Sequence, residues 1–354
     1  MTIKILPKSA LPAWIDHLRE DHTVYGPKRA NDQFVFDEIR SAQEIDLAYP
    51  TTILPPKKFL LPQHEELMRF DLDGPEKIQP IIPNHPRVIL GVHTCDLHAI
   101  ALTDRVYGEG YPDEHYGSRR KHTTLVSIEC LTPCSAHAFC KSMGTTSAPE
   151  AFDIHMTDLG DRYALEIGSE KGMSLVERFD GVQDATPEDL QRMHQVMSEK
   201  WPRFPYPLDF DASELPHLLS LSYDSLLWDE LGDRCLSCGA CNLVCPTCVC
   251  YDVIDEVEFN LHTGTRSRVW DSCQLDRFAL VAGGHNFRVN RAARLRHRFF
   301  HKGKYQTETY GMVGCVGCGR CASACLANIS PIEILNELYH RQVPYASIEQ
   351  EVMV

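Results

Sequence analysis

The chain has 354 residues, 43% of them hydrophobic, and a formal charge of −14. That length exceeds what one core usually serves and calls for more than one domain; the charge argues against nucleic acid as a general partner, and no window is apolar enough to insert in a membrane. The 15 cysteines stand out, and because Met1-Thr-Ile-Lys-Ile-Leu-Pro-Lys is no export leader, a cytoplasmic protein is expected, in which cysteines mean metal and not disulfides.

In chain order, Leu11, Trp14, Ile15 and Leu18 recur at helical spacing and predict a short amphipathic helix near the N-terminus. Alternation in Phe34-Val-Phe-Asp-Glu-Ile39 predicts a strand. The prolines of Ile53-Leu-Pro-Pro-Lys-Lys-Phe-Leu-Leu-Pro62 deny sheet hydrogen bonds and read as a packed connector. Arg87-Val-Ile-Leu-Gly91 is a continuous apolar run, a buried strand ending at Gly91 and followed by a loop with Cys95. Leu125-Val-Ser-Ile-Glu-Cys130 repeats the arrangement, with Cys134 and Cys140 on the loop beyond it. Cys95, Cys130, Cys134 and Cys140 are therefore candidate ligands of a third 4Fe-4S cluster, the alternative being that they pack as small buried hydrophobes. His93, Asp96 and His137 stand near enough in sequence to substitute as ligands or to hydrogen-bond sulfur.

A hairpin is expected around Leu159-Gly160-Asp161. Thr186-Pro-Glu-Asp189 supplies an N-cap, a proline at the first helical position and an acid at the third, predicting a helix through about Lys200. Trp201-Pro-Arg-Phe-Pro-Tyr-Pro207 then breaks the chain. These signals divide it into residues 1–185, a mixed α/β domain, 186–212, a linker, and 213–354. The apolar face of Leu215, Leu218, Leu219, Leu226, Leu227 and Trp228 leads into the last part.

That part carries Cys235-Leu-Ser-Cys238-Gly-Ala-Cys241-Asn-Leu-Val-Cys245 and, later, Cys315-Val-Gly-Cys318-Gly-Arg-Cys321-Ala-Ser-Ala-Cys325. In each, three thiolates three residues apart can converge on one iron-sulfur cube while the fourth starts a helix leading away and serves the other cube. Cys235, Cys238, Cys241 and Cys325 are thus assigned to one 4Fe-4S cluster, and Cys315, Cys318, Cys321 and Cys245 to a second. Structural zinc is the alternative, but it prefers two separated ligand pairs to four cysteines in succession. A long insertion with a hairpin around His262-Thr-Gly264-Thr separates the runs, and Cys248, Cys250 and Cys273 exceed the ligand count. Residues 279–306 contain no acid, and Arg288, Arg291 and Arg294 are expected on one helix face, offsetting cluster charge or docking an acidic partner. Ser330-Pro-Ile-Glu333 starts a final helix. The expected class is α+β, a mixed α/β domain followed by a mainly helical two-cluster ferredoxin-like domain.

Together with Pro55-Pro-Lys-Lys-Phe, Gly91-Val-His-Thr-Cys-Asp-Leu-His-Ala-Ile, Phe139-Cys-Lys-Ser-Met-Gly, Thr157-Asp-Leu-Gly-Asp-Arg-Tyr, Cys245-Pro-Thr-Cys-Val-Cys and Trp270-Asp-Ser-Cys, these runs make nearly the whole chain resemble one family. It is the iron-sulfur (beta) subunit of cytosolic NAD(P)-linked sulfhydrogenases, which are nickel-iron hydrogenases, and it is related to an iron-sulfur component of anaerobic sulfite reductase. The chain differs at Ala138-Phe-Cys140, where the family usually has Cys-Phe-Cys, and at His93-Thr94, where it commonly has Arg-Pro. Both differences fall at the third site and leave its ligands open. The resemblance implies an electron-transfer role, with a flavin- and NAD(P)-binding reductase subunit on one side and a catalytic subunit of hydrogenase or sulfite reductase type on the other. The alternatives are a component that itself reduces substrate at the N-terminal cluster, and a zinc-stabilised assembly module without redox activity. No glycine-rich dinucleotide turn follows a strand, so no site for nicotinamide or flavin can be argued from the sequence.

Overall fold

The computed structural model describes residues 2–74, 78–149 and 151–352, with side chains through Gln342. It contains both helices and strands and divides into two compact units that interleave along the chain. One comprises Met1–Ser135, Thr145–Phe204 and Asp252–Val269; the other comprises Ala136–Gly144, Pro205–Tyr251 and Trp270–Val354.

The first unit is built on β1 (Thr2–Pro7), α1 (Leu11–Asp21), β2 (Thr23–Ala30), β3 (Gln33–Glu38), β4 (His64–Asp71), β5 (Gln79–Pro80), β6 (Arg87–His93), α2 (Thr94–Gly108), α3 (Glu114–Lys121), β7 (Thr123–Ile128), β8 (Ile154–Asp158), β9 (Arg162–Ile167), α4 (Glu170–Glu177), β10 (Gln183–Asp184) and α5 (Pro187–Lys200). Its eight-stranded sheet has the order β10-β1-β9-β8-β7-β6-β2-β3. The centre, β2-β6-β7-β8, is parallel and the flanks antiparallel. Central strands covered on both faces need apolar residues throughout, which is why Val88, Ile89, Leu90 and Val92 form one run. Trp14, Ile15 and Leu18 of α1 join Val88, Leu90, Val126, Ile154 and Leu165 in the core.

The expected strand end at Gly91 is instead a bulge. Its φ is +85°, and a Cβ there would stand 2.9 Å from Leu47 and 3.1 Å from Pro27. The register shifts between Leu90 and Val92 and the strand continues to His93. Cys95 therefore lies on the first turn of α2, not on a loop. The Thr186 cap forms as expected, with a reciprocal bond from Asp189, and α5 runs to Lys200.

The insertion after the first cysteine run forms β11 (Tyr251–Val257) and β12 (Thr263–Trp270), so the turn falls just before the expected position. β12 pairs with β4, some 190 residues earlier in sequence, in the four-stranded sheet β11-β12-β4-β5. Arg268 explains part of that attachment. It donates to Glu65 Oε2 at 2.6 Å and to Asp113 at 2.7 Å, and Arg119 also pairs with Glu65. Two buried guanidinium groups thus share the Glu65 carboxylate.

The second unit contains α6 (Leu215–Leu221), α7 (Leu227–Arg234), α8 (Ala240–Leu243), α9 (Arg291–Phe300), α10 (Gln306–Tyr310), α11 (Arg320–Ser323) and α12 (Pro331–Val352), with a π-helical stretch at His301–Tyr305 between α9 and α10. Leu219, Trp228, Phe300, Leu335 and Leu338 centre its core. Among the described residues no helix is long and apolar enough to cross a membrane.

One polar cluster lies inside the first unit. Lys200, fully buried, donates to Glu129 at 2.5 Å and to the Thr146 carbonyl at 2.7 Å, and His155 bridges Glu129 at 3.1 Å and Ser127 at 2.8 Å. Burial opposes charge on Glu129, but the bonds from His155 and Lys200 outweigh it and hold its carboxyl below the ordinary value. Its stabilisation is therefore present above that ordinary value and lost as pH falls through the lowered one. Lys200→Met leaves a buried carboxylate without its ammonium and should cost about 3–5 kcal/mol, read as faster amide hydrogen exchange in β7 and β8. Adding Glu129→Gln should recover most of the loss, and equal exchange in both variants would show that the ion pair contributes little.

Candidate metal centre

The two cysteine runs fold alike. Gly239 (φ +77°) and Gly319 (φ +75°) adopt the left-handed conformation ahead of the single turns α8 and α11, and Ser237 (φ +51°) matches Gly317 (φ +67°). In one run Leu243 N and Cys245 N donate to the Gly239 and Asn242 carbonyls; in the other Ser323 N and Cys325 N donate to Gly319 and Ala322. Cys245 and Cys325 thus end a helical turn, where the sequence pattern places the start of a helix, but each is still carried away from its own loop.

Where they arrive is informative. One cavity is bordered by Cys315, Cys318 and Cys321 together with Cys245. A second is bordered by Cys235, Cys238 and Cys241 together with Cys325. Cys321, Arg298, Phe299 and Pro331 border both. Neither lining includes a histidine or a carboxylate. Sulfur alone is a soft donor set, suited to iron-sulfur clusters. A single zinc ion draws its four ligands to about 2.3 Å, whereas among the described residues no three Cys, His, Asp or Glu side chains are placed to hold one ion. The residues fit a cluster in each cavity.

The backbone prepares sulfur to carry charge. Ser237 N donates to Cys235 Sγ at 3.4 Å, and Ile329 N to Cys325 Sγ at 3.3 Å. The Cys248 thiol hydrogen-bonds Cys245, and despite burial this bond, with Lys302 and Arg298 nearby, holds Cys245 well below the usual thiol range. Cys273 accepts from Asn242 Nδ2 at 3.0 Å and bonds Cys250; that bond leads the causes lowering Cys273 to about 6. The three surplus cysteines therefore bond sulfur or polar groups beside the cavities.

The basic segment departs from expectation. Asn290 caps α9, so Arg288 precedes the helix instead of sharing its face. Arg291 Nη1 donates to the Cys235 carbonyl at 2.8 Å, and buried Arg294 donates to Ser237 Oγ at 3.0 Å. Arg298 and Lys302, further along the same acid-free stretch, border the cavities. Burial works against both charges, yet the sulfurs of Cys241, Cys321, Cys248 and Cys245 around Arg298, and of Cys245 and Cys248 around Lys302, outweigh it and raise both.

The other four candidates are divided. Cys95, Cys130 and Cys134 lie in the first unit and Cys140 in the second. Thr94 donates to Cys130 Sγ at 3.8 Å, while burial pushes that thiol up to about 12. Asp96 is buried on α2 and His93 stacks on Tyr49, 4.2 Å between ring centroids. In the second unit, Phe139 N donates to the Gly317 carbonyl at 2.8 Å, and the backbones of His137 and Cys140 lie against Gly319 and Gly317.

Residues 234–329 match the family model described as a 4Fe-4S dicluster domain. Over 334 residues the chain is 37% identical to the protein named sulfhydrogenase 2 subunit beta of Pyrococcus furiosus, an alignment covering 92% of this chain and 95% of that protein. No solved structure matches the chain.

The Gly317 position yields a direct test of the second loop. A Cβ there would stand 2.6 Å from Cys140 N, at a φ that costs an L-residue about 1–2 kcal/mol before any clash. Gly317→Ala should displace the segment or the loop and lower bound iron, while Gly283→Ala, also at positive φ but with open space around it, should leave iron content unchanged.

Proposed function

Because the chain belongs to the sulfhydrogenase beta-subunit family, we propose that it is the electron-transfer component of a multisubunit oxidoreductase, relaying electrons between a partner that binds flavin and NAD(P) and one that turns over hydrogen or a sulfur substrate. The observation that carries this reading is the exchange of fourth thiols between the two cysteine runs. Cys235, Cys238, Cys241 and Cys325 would hold one 4Fe-4S cluster, and Cys315, Cys318, Cys321 and Cys245 the other. Bound there, each cluster supplies one-electron redox chemistry. The chain's own part is to fix the thiolates and donate amide and thiol hydrogen bonds to sulfur, leaving Cys238 the most exposed of the eight.

Sharing the wall of Cys321, Phe299 and Arg298 brings the two sites next to each other, as a relay requires. We also assign Cys95, Cys130 and Cys134 to a third cluster, supported by the Thr94 bond to Cys130 beside Cys95 and by the nearness of Cys134 to Cys130.

Metal analysis of the full chain should give iron and acid-labile sulfide in equal amounts, about eight of each for two clusters and about twelve with the third. Zinc in place of iron would return the chain to a non-redox assembly role. Cys130→Ser should lower the count by about four; a count of eight in both would remove the third cluster. Cys245→Ser should disturb the same electron paramagnetic signal as Cys318→Ser. If it instead follows Cys238→Ser, the crossed ligation is wrong.

A further inference from the structure

Arg298 and Lys302 stand four residues apart in sequence and are only 7% and 6% exposed. Elsewhere in the chain, buried Arg119, Arg268 and Lys200 meet carboxylates. Arg298 does not: its Nε donates to Asn242 Oδ1 at 3.0 Å and its Nη2 to the Cys241 carbonyl at 3.4 Å, both neutral acceptors. The Lys302 ammonium donates to Thr247 Oγ1 at 2.5 Å and to the Gly314 carbonyl at 3.2 Å, again neutral. Among the described residues no ion pair joins either cation to an aspartate or glutamate, and the cavities they border are ringed by cysteine sulfur. A buried charge is strongly unfavourable unless an opposite charge offsets it. The opposite charge must therefore lie in the cavities the two side chains face.

The two cations are not placed alike. The Arg298 guanidinium borders both cavities, whereas Lys302 borders only the one ringed by Cys245, Cys315, Cys318 and Cys321. A cluster held by four thiolates is anionic, and accepting one electron, with no bond made or broken and no proton needed, makes it more so by one charge. A fixed cation nearby stabilises the reduced form more than the oxidised one and raises the reduction potential; net charge is one of the levers on that quantity, and in a low-dielectric interior it acts over the width of the site.

We propose that Arg298 is a shared counter-charge that eases reduction of both clusters at once, and that Lys302 does so selectively for the cluster on Cys245, Cys315, Cys318 and Cys321. The proposal rests on the reading of the chain as a two-cluster relay. It also gives the acid-free stretch a purpose: a carboxylate packed against either side chain would cancel the field that the cavities receive.

The test is a redox titration of the full, cluster-loaded chain, following the two reduced-cluster paramagnetic signals, with iron and sulfide measured on every sample. Arg298→Gln should move both potentials downward, and Arg298→Lys, which keeps the charge, should stay near wild type. Lys302→Gln should lower only the signal that Cys318→Ser removes. Arg296→Gln should shift neither, since Arg296 lies over the Tyr223 ring, 4.1 Å from its centroid, and borders neither cavity. Unshifted potentials in a fully loaded Arg298→Gln chain overturn the proposal, as would a Lys variant that behaves like Gln. Should Arg298→Gln fail to assemble, Asn242→Asp keeps the guanidinium and sets a carboxylate on it at the same hydrogen bond. Both potentials should again fall, and wild-type values there would overturn the proposal independently. A wild-type chain that never holds two clusters would remove the relay reading itself, an outcome visible in the iron count before any potential is measured.

Discussion

The cysteine-rich unit depends on an exchange: Cys245 reaches the cavity of the later run, and Cys325 that of the earlier one. The cause is local. A left-handed glycine starts a single helical turn after the second cysteine of each run, and that turn is just long enough to carry the fourth thiol off its own loop. On the proposed ligation neither loop would be completed by its own residues. The helices that join the loops, with Trp228, Phe299, Phe300 and Leu335 between them, would then have to be in place before either site was whole, coupling metal binding and folding more tightly than in a site closed by neighbouring residues.

A second constraint concerns where negative charge is kept. In the sheet-bearing unit, three buried cations are matched by carboxylates: Glu65 holds Arg119 and, with Asp113, Arg268, and Glu129 holds Lys200. The chain of Ser127, His155 and Glu129 has the look of a hydrolytic relay, but all three residues are buried and Lys200 occupies the carboxylate, so it cross-links β7, β8 and α5. Within an acidic protein, the run from 279 to 306 contains no acid at all. That local reversal leaves Arg298 and Lys302 available to something other than a carboxylate, although Lys304, near its end, pairs with Glu308.

The sequence was most legible where chemistry and spacing coincide. The paired runs, their tight glycines, the Thr186 cap and the Gly160 hairpin depend on neighbours a few residues away, and each appears in the fold. What could not be read depends on distant partners. No periodicity in His64–Asp71 announces that it pairs with Thr263–Trp270, and the bulge at Gly91, which puts Cys95 on a helix, answers to Leu47 and Pro27 packed against it. The basic segment was legible only in part for a related reason. Its charge reads from the sequence as a counterweight to clusters or a dock for a partner, but only the packing of α9 and the turn after it reveals which side chains, Arg294, Arg298 and Lys302, are buried. The absence of acids among them was the available signal.

The π-helical turn at His301–Tyr305 has a bearing on that inward face. Arg294, Arg298, Lys302 and Gln306 are all buried and repeat every fourth residue. An α-helix completes a turn in 3.6 residues, so a strict four-residue repeat drifts around its axis by about 40° per step and would leave the last members facing elsewhere. A wider turn takes up extra residues and winds the drift back, returning Gln306 toward the line set by the first two. The irregular turn thus acts as a phase correction, and the length of this segment, more than its composition, is what a single-residue insertion or deletion would spoil.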